Sequence, residues 1–385
     1  MLFCLRHLPT GARLTAYMPN RVCQHCSHHF TILDSQIGEN IPCPNCGKSI
    51  LSPRVVRAPH EKIKLTVTAP PDDIYTADRL AGIARAIIEN VQRVIVGKPE
   101  QITLAVATLF AEGHLLLEDV PGVAKTMLSR AIAQSVGCTF KRIQCTPDLQ
   151  PEHVVGDFIL DPTTGRKDFR FGPLFSQMVL VDEINRASPR TQSALLEAMG
   201  EGMVTMDRVS YRLEKPFMVM ATQNPIEQEG TFRLPEAQMD RFLIRLSLGY
   251  PSAEQEREMC QRMQQVHPIE TLTAVTTADQ ILKCQRGVRD IPVGTEVCDY
   301  LVALTRATRE HAALRLGASP RGSLGLFRAA QSLAAIKGEA SVSIDHVRAL
   351  VEPVLAHRLL VRREALKDYP DAAAVVREIA GKVSA

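Results

Sequence analysis

The run HLLLEDVPGVAKTMLSRAIAQSVG, His114 to Gly137, constrains this chain more than any other stretch. Its leucines read as a short apolar strand, and TMLSRAIAQSVG repeats apolar residues at helical spacing. Between them lies Asp119-Val120-Pro121-Gly122-Val123-Ala124-Lys125-Thr126, to be compared with G-x-x-x-x-G-K-[ST]. A strand turning through such a loop into a helix aims backbone N–H groups and the helix N-terminus at one place, which suits phosphate. Lys125 would reach the β- and γ-oxygens, and the Thr126 hydroxyl would hold Mg²⁺. Two glycines of the pattern are replaced. Asp119 stands at the loop entrance, where it need not touch phosphate. Ala124 adds only a methyl, acceptable if its φ is negative. Gly122 remains to supply an unusual φ. On these residues alone, a chance Lys-Thr at a helix start is the alternative.

A second run, MVLVDEINRA, Met178 to Ala187, is an apolar strand ending in two carboxylates. Asp182 is placed to ligate Mg²⁺ or accept from its water, and Glu183 to orient and polarise an attacking water. A buried strand ending in an acidic turn is the bland alternative, and the upstream phosphate loop weighs against it. A third apolar strand ends at MATQNP. Asn224 at its tip would position the water if its strand neighbours that of Glu183; otherwise it is a turn former before Pro225.

Strand-like runs (HLLLED, FKRIQC, MVLVDE, FMVMATQN, FLIRLSL) alternate with helical ones from residue 76 to about 250, which predicts a parallel sheet covered on both faces. Thr76 can cap the first helix, whose Leu80, Ile83, Ile87 and Val91 fall at helical spacing. Residues 251–365 read as an entirely helical domain and 366–385 as a C-terminal tail. Upstream, 53–75 is a Pro-rich linker and 1–18 is expected to be disordered, with Met18 an alternative start. The N-terminus lacks the long apolar core of a signal peptide, and no apolar run is long enough to span a bilayer, which favours the cytoplasm.

Residues 19–52 carry Cys23-x-x-Cys26 and Cys43-x-x-Cys46 with sixteen residues between the pairs. The spacing fits a four-thiolate zinc ribbon. A segment this short cannot build its own core, so metal would hold it together. A Cys₃His set using His25, His28 or His29, a redox pair and an iron–sulfur cluster are the competing readings. Cys4, Cys138, Cys145, Cys260, Cys284 and Cys298 are scattered and read mostly as reduced, small core residues.

The ordered series VIVGK, LLLEDVPGVAKT, GDFILDPTTGRKDFRFGPLF, MVLVDEINRASPRTQSALLEAMGEG, VMATQNPIEQEGTFRLPEAQMDRF and GASPRGSLGLFRAAQ resembles the MoxR family of AAA+ ATPases over about residues 76–365. The resemblance implies a P-loop NTPase core of the AAA+ type with a C-terminal helical lid, binding ATP and Mg²⁺ and hydrolysing ATP. In that family alanine before the lysine is an accepted variant and the first glycine varies. The loop from Asp119 through Met127 would then cradle the nucleotide, and Val96 and Gly97 would pack near the adenine. Asp182 and Glu183 would be the Walker B pair and Asn224 sensor 1. Arg241, in QMDRF, would be an arginine finger donated to the adjoining subunit, and Arg321, in GASPRG, would be sensor 2. On residues alone, Arg241 could be a helix-end surface charge and Arg321 a helix cap. The GDFILDPTTGRKDFRFGPLF segment resembles an insert within helix 2 that projects toward a central pore. The family further implies a hexameric ring, a von Willebrand factor A domain partner and a client protein to be remodelled. The ribbon is not part of the typical core, and its target is open. Two other functions compete: a nucleic-acid motor using the ribbon to contact DNA, and a nucleotide-gated scaffold with little turnover. The intact Glu183 counts against the scaffold. A net charge of +3, no Trp and 5% aromatic residues count against nucleic acid as a partner.

Overall fold

The computed structural model describes residues 20–22, 26, 29–31, 40–51, 55–57, 75–160, 167–206, 209–224, 231–264 and 266–384. The 1–18 segment, Cys4, Cys23, His25 and most of the 53–75 linker lie outside the described residues. The described residues form two compact units. One lies within Met1–Arg57 plus Thr205–Arg212, the other within Ala58–Val204 and Leu213–Ala385.

The larger unit opens with α1 (Ala77–Gln92), which starts directly after Thr76, although the Thr76 side chain makes no capping bond. Leu80, Ala84, Ile87 and Val91 form its buried stripe, while Ile83 only borders the core. Then follow α2 (Pro99–Phe110), β6 (Leu115–Glu118), α3 (Lys125–Ser135) and β7 (Phe140–Gln144). The labels β1 to β5 belong to the N-terminal unit. Between β7 and β10 (Met178–Asp182) come a short α4 (Pro151–Val155) and a hairpin of β8 (Gly156–Leu160) and β9 (Lys167–Phe171). The hairpin is the segment likened above to a pore-directed insert. The chain continues through α5 (Pro189–Glu201), β11 (Met203–Met206), β12 (Val209–Arg212), β13 (Met218–Gln223), α6 (Glu236–Met239) and β14 (Ile244–Leu246).

Five strands form one sheet in the order β14-β6-β13-β10-β7. Every neighbouring pair is parallel. Consecutive β10 residues Met178, Val179, Leu180 and Val181 are all fully buried, so both faces of the sheet are covered. That burial explains why these strands read as unbroken apolar runs rather than alternating ones.

The lid comprises α7 (Ala253–Arg262), α8 (Ala278–Arg289), α9 (Thr295–Glu310), α10 (Pro320–Lys337), α11 (Ile344–Leu355) and α12 (Ala372–Lys382). Two features differ from the sequence-based expectation. The lid is not wholly helical, because β15 (Leu314–Leu316) pairs antiparallel with β16 (Leu360–Val361). The stretch 366–385, set apart as a tail, contains α12, whose Ala373, Val375, Val376 and Ile379 are buried in the common core. The tail reading is therefore corrected: this stretch is a helix packed into the core.

In the smaller unit, β1 (Asn20–Val22) pairs with β2 (His29–Thr31), and β3 (Asn40–Pro42) with β4 (Ser49–Leu51), both antiparallel. Each hairpin encloses one Cys-x-x-Cys pair. β5 (Val55–Arg57) is a strand inside the predicted linker and runs parallel to β12.

Candidate active site

Parallel strands release their chain ends at one edge of the sheet, where a ligand site is built. Here β6 feeds the loop before α3, β10 ends at Asp182, and β13 lies between them. The loop turns at Gly122, φ +84°, and at Ala124, φ +62°. The condition of a negative φ, set above for an alanine here, is therefore not met. This alanine, the residue before the helix, adopts the left-handed region that favours glycine. Asp119 is buried. Oδ1 accepts from the Val120 N–H at 2.9 Å, while Oδ2 accepts from Leu248 and Gly249 N–H at 2.6 and 2.7 Å. Its side chain fastens the loop to the segment after β14. Lys125 Nζ donates to the Asp119 and Val120 carbonyls at 2.6 and 3.1 Å.

A cavity of about 330 Å³, lined by Pro121, Gly122, Lys125, Thr126, Asp182 and Glu183, opens beside the loop. That is the size range of small-molecule sites. Ala124, Met127, Thr222 and Asn224 complete its wall. Gly122, Ala124 and Met127 also line a second, mostly apolar hollow with Val94, Ile95, Val96, Val123, Leu248, Met259 and Met263. Polar and apolar compartments thus share a wall, as a phosphorylated ligand with a flat heterocycle requires. Gly97, φ +70°, borders this region, and its carbonyl accepts from Gln255 Nε2 at 3.2 Å. A Cβ there would fall 2.1 Å from the Gln255 side chain.

β10 and β13 pair in register up to Val181 opposite Ala221, and Asp182 and Thr222 are the next residue of each strand. Thr222 Oγ1 donates to Asp182 Oδ1 at 2.5 Å and accepts the Glu183 N–H at 2.8 Å. Glu183 itself sits at φ +56°, a left-handed conformation that turns the chain sharply at the strand end. Its Oε2 accepts from Arg186 Nη1 at 2.9 Å and Gln144 Nε2 at 3.1 Å. Arg142, on β7, donates through Nε and Nη2 to Asp182 Oδ2 at 3.0 and 2.6 Å. Asn224 is buried on the wall it shares with Glu183.

Arg241 and Arg321 do not line this cavity. Arg241 follows α6; its guanidinium lies across Gly200 of α5, and its Nη1 is buried with no hydrogen-bond partner among the described residues. Arg321 is exposed on the first turn of α10. Thr222, Arg142, Gln144 and Arg186 escaped the sequence-based selection. Nothing local marks them, since each acts across strands or from the turn after one.

In the N-terminal unit, the Cys26, Cys43 and Cys46 sulfurs all lie within 4.8 Å of one another. Cys26 and Cys43 are 3.7 Å apart, far beyond a disulfide bond. A tetrahedral ion with Zn–S near 2.3 Å holds its sulfurs about 3.8 Å apart, so these residues fit a thiolate-bound metal. Gly47, φ +70°, donates its N–H to the Cys43 carbonyl at 2.9 Å and closes the second knuckle. Of the scattered cysteines, Cys145 and Cys284 are buried, and burial raises their thiols and that of Cys138 to about 12. Cys260 is exposed, an exception to the mostly core reading of this group, because α7 buries none of its residues.

A phosphate loop and an Asp-Glu strand end on a parallel sheet, closed by a helical lid, define a P-loop ATPase of the AAA+ class. The model of the ATPase family associated with various cellular activities (AAA) matches residues 114–244, and that of the AAA lid domain matches 306–379. Uncharacterized protein YeaC of Bacillus subtilis is 47% identical over 296 residues, covering 77% of this chain and 92% of that protein. Chaperone MoxR1 of Mycobacterium tuberculosis is 43% identical over 295 residues, covering 74% and 78%. A crystal structure of a candidate ATPase from Cytophaga hutchinsonii superposes with a TM-score of 0.75 at 32% identity, covering 80% of this chain and 96% of that one. The chain belongs to the MoxR family of AAA+ ATPases. Among the described residues no helix is long and apolar enough to cross a membrane.

Proposed function

We propose that this protein binds ATP with Mg²⁺ at the loop between β6 and α3, hydrolyses it, and uses the energy as a chaperone-like remodeller of client proteins. The observation that carries the reading is the convergence of Lys125, Thr126, Asp182, Glu183 and Asn224 on one cavity. Backbone N–H groups of the loop and the Lys125 ammonium neutralise the phosphate oxygens. Thr126 and Asp182 would hold Mg²⁺, which would supply positive charge to offset the charge developing on the phosphate. Glu183 accepts a proton from the attacking water, and Asn224 orients that water. Val96, Gly97 and the apolar hollow take the adenine. Arg241 is donated to the next protomer of a hexameric ring, and Arg321 reads the γ-phosphate from the lid. The MoxR1 relative is a chaperone by name, and the same role is proposed here, in the cytoplasm, with a von Willebrand factor A domain protein as partner.

Calorimetric titration with ATP tests the site. Magnesium-dependent binding is expected in the wild type and in Glu183→Gln, whose turnover falls by roughly 10²- to 10⁴-fold. Lys125→Ala loses binding. A folded wild type without magnesium-dependent affinity for adenine nucleotides defeats the proposal.

The N-terminal unit is proposed to hold one Zn²⁺ on Cys26, Cys43, Cys46 and Cys23. Elemental analysis of purified protein should find one zinc per chain. Cys43→Ser should lose it, and a full zinc complement in that variant would refute the assignment.

A further inference from the structure

Between the sheet and the lid sits a cluster that the hydrolysis site does not use. Asp240 ends α6 immediately before Arg241. Its Oδ2 accepts from the Ser319 hydroxyl at 2.7 Å, and its Oδ1 pairs with Arg358 Nη1. Ser319 is the N-cap of α10 and accepts the N–H of Arg321 at 3.1 Å. Arg358 is almost fully buried; it donates to the Asp240 carbonyl at 2.9 Å and the Phe242 carbonyl at 2.6 Å. His357 adds a second bond to the Phe242 carbonyl, 3.0 Å from its Nε2. The Arg358 side chain runs along α10 at Gly325, where a Cβ would lie 3.4 Å from Nη2. One carboxylate therefore joins the residue preceding Arg241 to the helix start that carries Arg321.

The placement has a cost that calls for explanation. Burial pulls the Arg358 pKa down, and Asp240 acts against that pull. A buried ion pair is weak evidence for stability, since apolar residues of similar volume often serve as well or better. What it supplies is direction: a charged, two-sided link with one geometry. The segment it grips, residues 240 to 242, leads directly into β14 beside the phosphate-loop strand.

We propose that Asp240, Ser319 and Arg358 form a positioning latch. It couples the lid, through Ser319 and Arg321, to the segment that presents Arg241 to the adjoining protomer, so that the phosphate state sensed in one site sets the finger offered to the next. The proposal rests on reading Arg241 and Arg321 as arginines of the ATP site. The three latch residues do not line the cavity beside the loop and act through those arginines.

The test is steady-state ATPase kinetics of the full-length protein over a range of ATP concentrations. Ser319→Gly removes the hydroxyl but keeps a competent N-cap, since glycine costs a helix start little relative to serine. It should lower kcat about fivefold or more, the lower end of ordinary coupling, and bring the Hill coefficient toward one. The KM for ATP should stay within about twofold of wild type, because coupling rather than nucleotide binding is removed. Ser319→Thr, which keeps the hydroxyl, should recover most of the rate. Thr277→Ala removes the N-cap of α8, remote from the latch, and should leave kcat and the Hill coefficient unchanged. A Ser319→Gly enzyme with wild-type kcat and Hill coefficient overturns the latch. So does a defect that Thr277→Ala reproduces or that threonine fails to rescue. Failure of the underlying reading looks different: Arg241→Ala and Arg321→Ala would themselves hydrolyse ATP normally.

Discussion

Thr222 on β13 donates its hydroxyl to Asp182 on β10 across 2.5 Å, and the same oxygen receives the N–H of Glu183. One hydroxyl thus orients both members of the acidic pair, the first through its side chain and the second through its backbone. Thr222→Val keeps the shape and deletes the bridge. The buried Asp182 oxygen and Glu183 N–H lose a partner, which should cost about 1 to 3 kcal/mol of stability. Turnover should fall by about ten- to a hundredfold, since small misplacements of reacting groups cost that much. A coupled ATPase assay beside a thermal melt reads both; unchanged kcat in a folded Thr222→Val would show that the bridge does not place the carboxylates.

The left-handed alanine of the phosphate loop makes a prediction of unusual sign. Residue 124 at φ +62° costs an alanine roughly 1 to 2 kcal/mol. Glycine removes that strain but gains about 0.5 to 1 kcal/mol of freedom in the unfolded chain. Ala124→Gly should therefore be neutral or stabilising by up to about 1.5 kcal/mol. Gly122→Ala, at φ +84°, should destabilise by about 1 kcal/mol or more. Urea denaturation compares the pair, and a clearly destabilised Ala124→Gly would contradict the backbone described here.

Arg241 lies outside the cavity of its own chain, so its contribution is expected in trans. Arg241→Ala should lose roughly 10³- to 10⁵-fold in rate, the worth of an arginine finger. Mixing it with Lys125→Ala subunits creates interfaces that pair an intact loop with an intact arginine, and a fraction of the activity should return. No recovery in rings shown to be mixed, by mass or by tag, would rule out donation between protomers.

Two buried histidines make stability depend on pH. Burial, with a smaller contribution from the Arg241 charge, lowers His114 to about 4, against a backbone bond to Met199 that favours the proton. Burial and then Arg358 push His357 well below its ordinary value. The folded state thus refuses protons that the unfolded chain accepts. Above about pH 6.5 neither group matters; below that, down to about 4, each pH unit costs up to about 1.4 kcal/mol through His114, and His357 acts in the same direction. His114 accepts the Val219 N–H on Nδ1 and bonds to the Met199 carbonyl through Nε2, which fixes the neutral tautomer. Melting temperature should fall as pH drops from 7 to 5, and less steeply in His114→Gln. Equal slopes in the two proteins would remove His114 from the account.

Local chemistry made much of the candidate site legible in the chain. A strand buried on both faces has to be apolar throughout, so HLLLE, MVLVD and FMVMATQ announce themselves, and a loop feeding a helix start carries its Lys-Thr with it. The carboxylates at Asp182 and Glu183 are read for the same reason, as charges that no apolar strand would carry without use. The paired cysteines are similarly plain, because the knuckle spacing is a local matter.

Folding alone decided the remainder. Only the order β6-β13-β10 sets Thr222 against Asp182 and Asn224 beside Glu183. The pairing of Asp240 with Arg358 spans 118 residues, and the burial of α12 against the lid follows from packing rather than from its own helical pattern. Ala124 shows the limit most clearly: its φ is imposed by a loop whose two ends are anchored, through Asp119 on one side and α3 on the other. Propensity is a property of a few neighbouring residues, whereas strand order, ion pairs between distant segments and tolerated backbone strain are settled by the free energy of the whole assembled core.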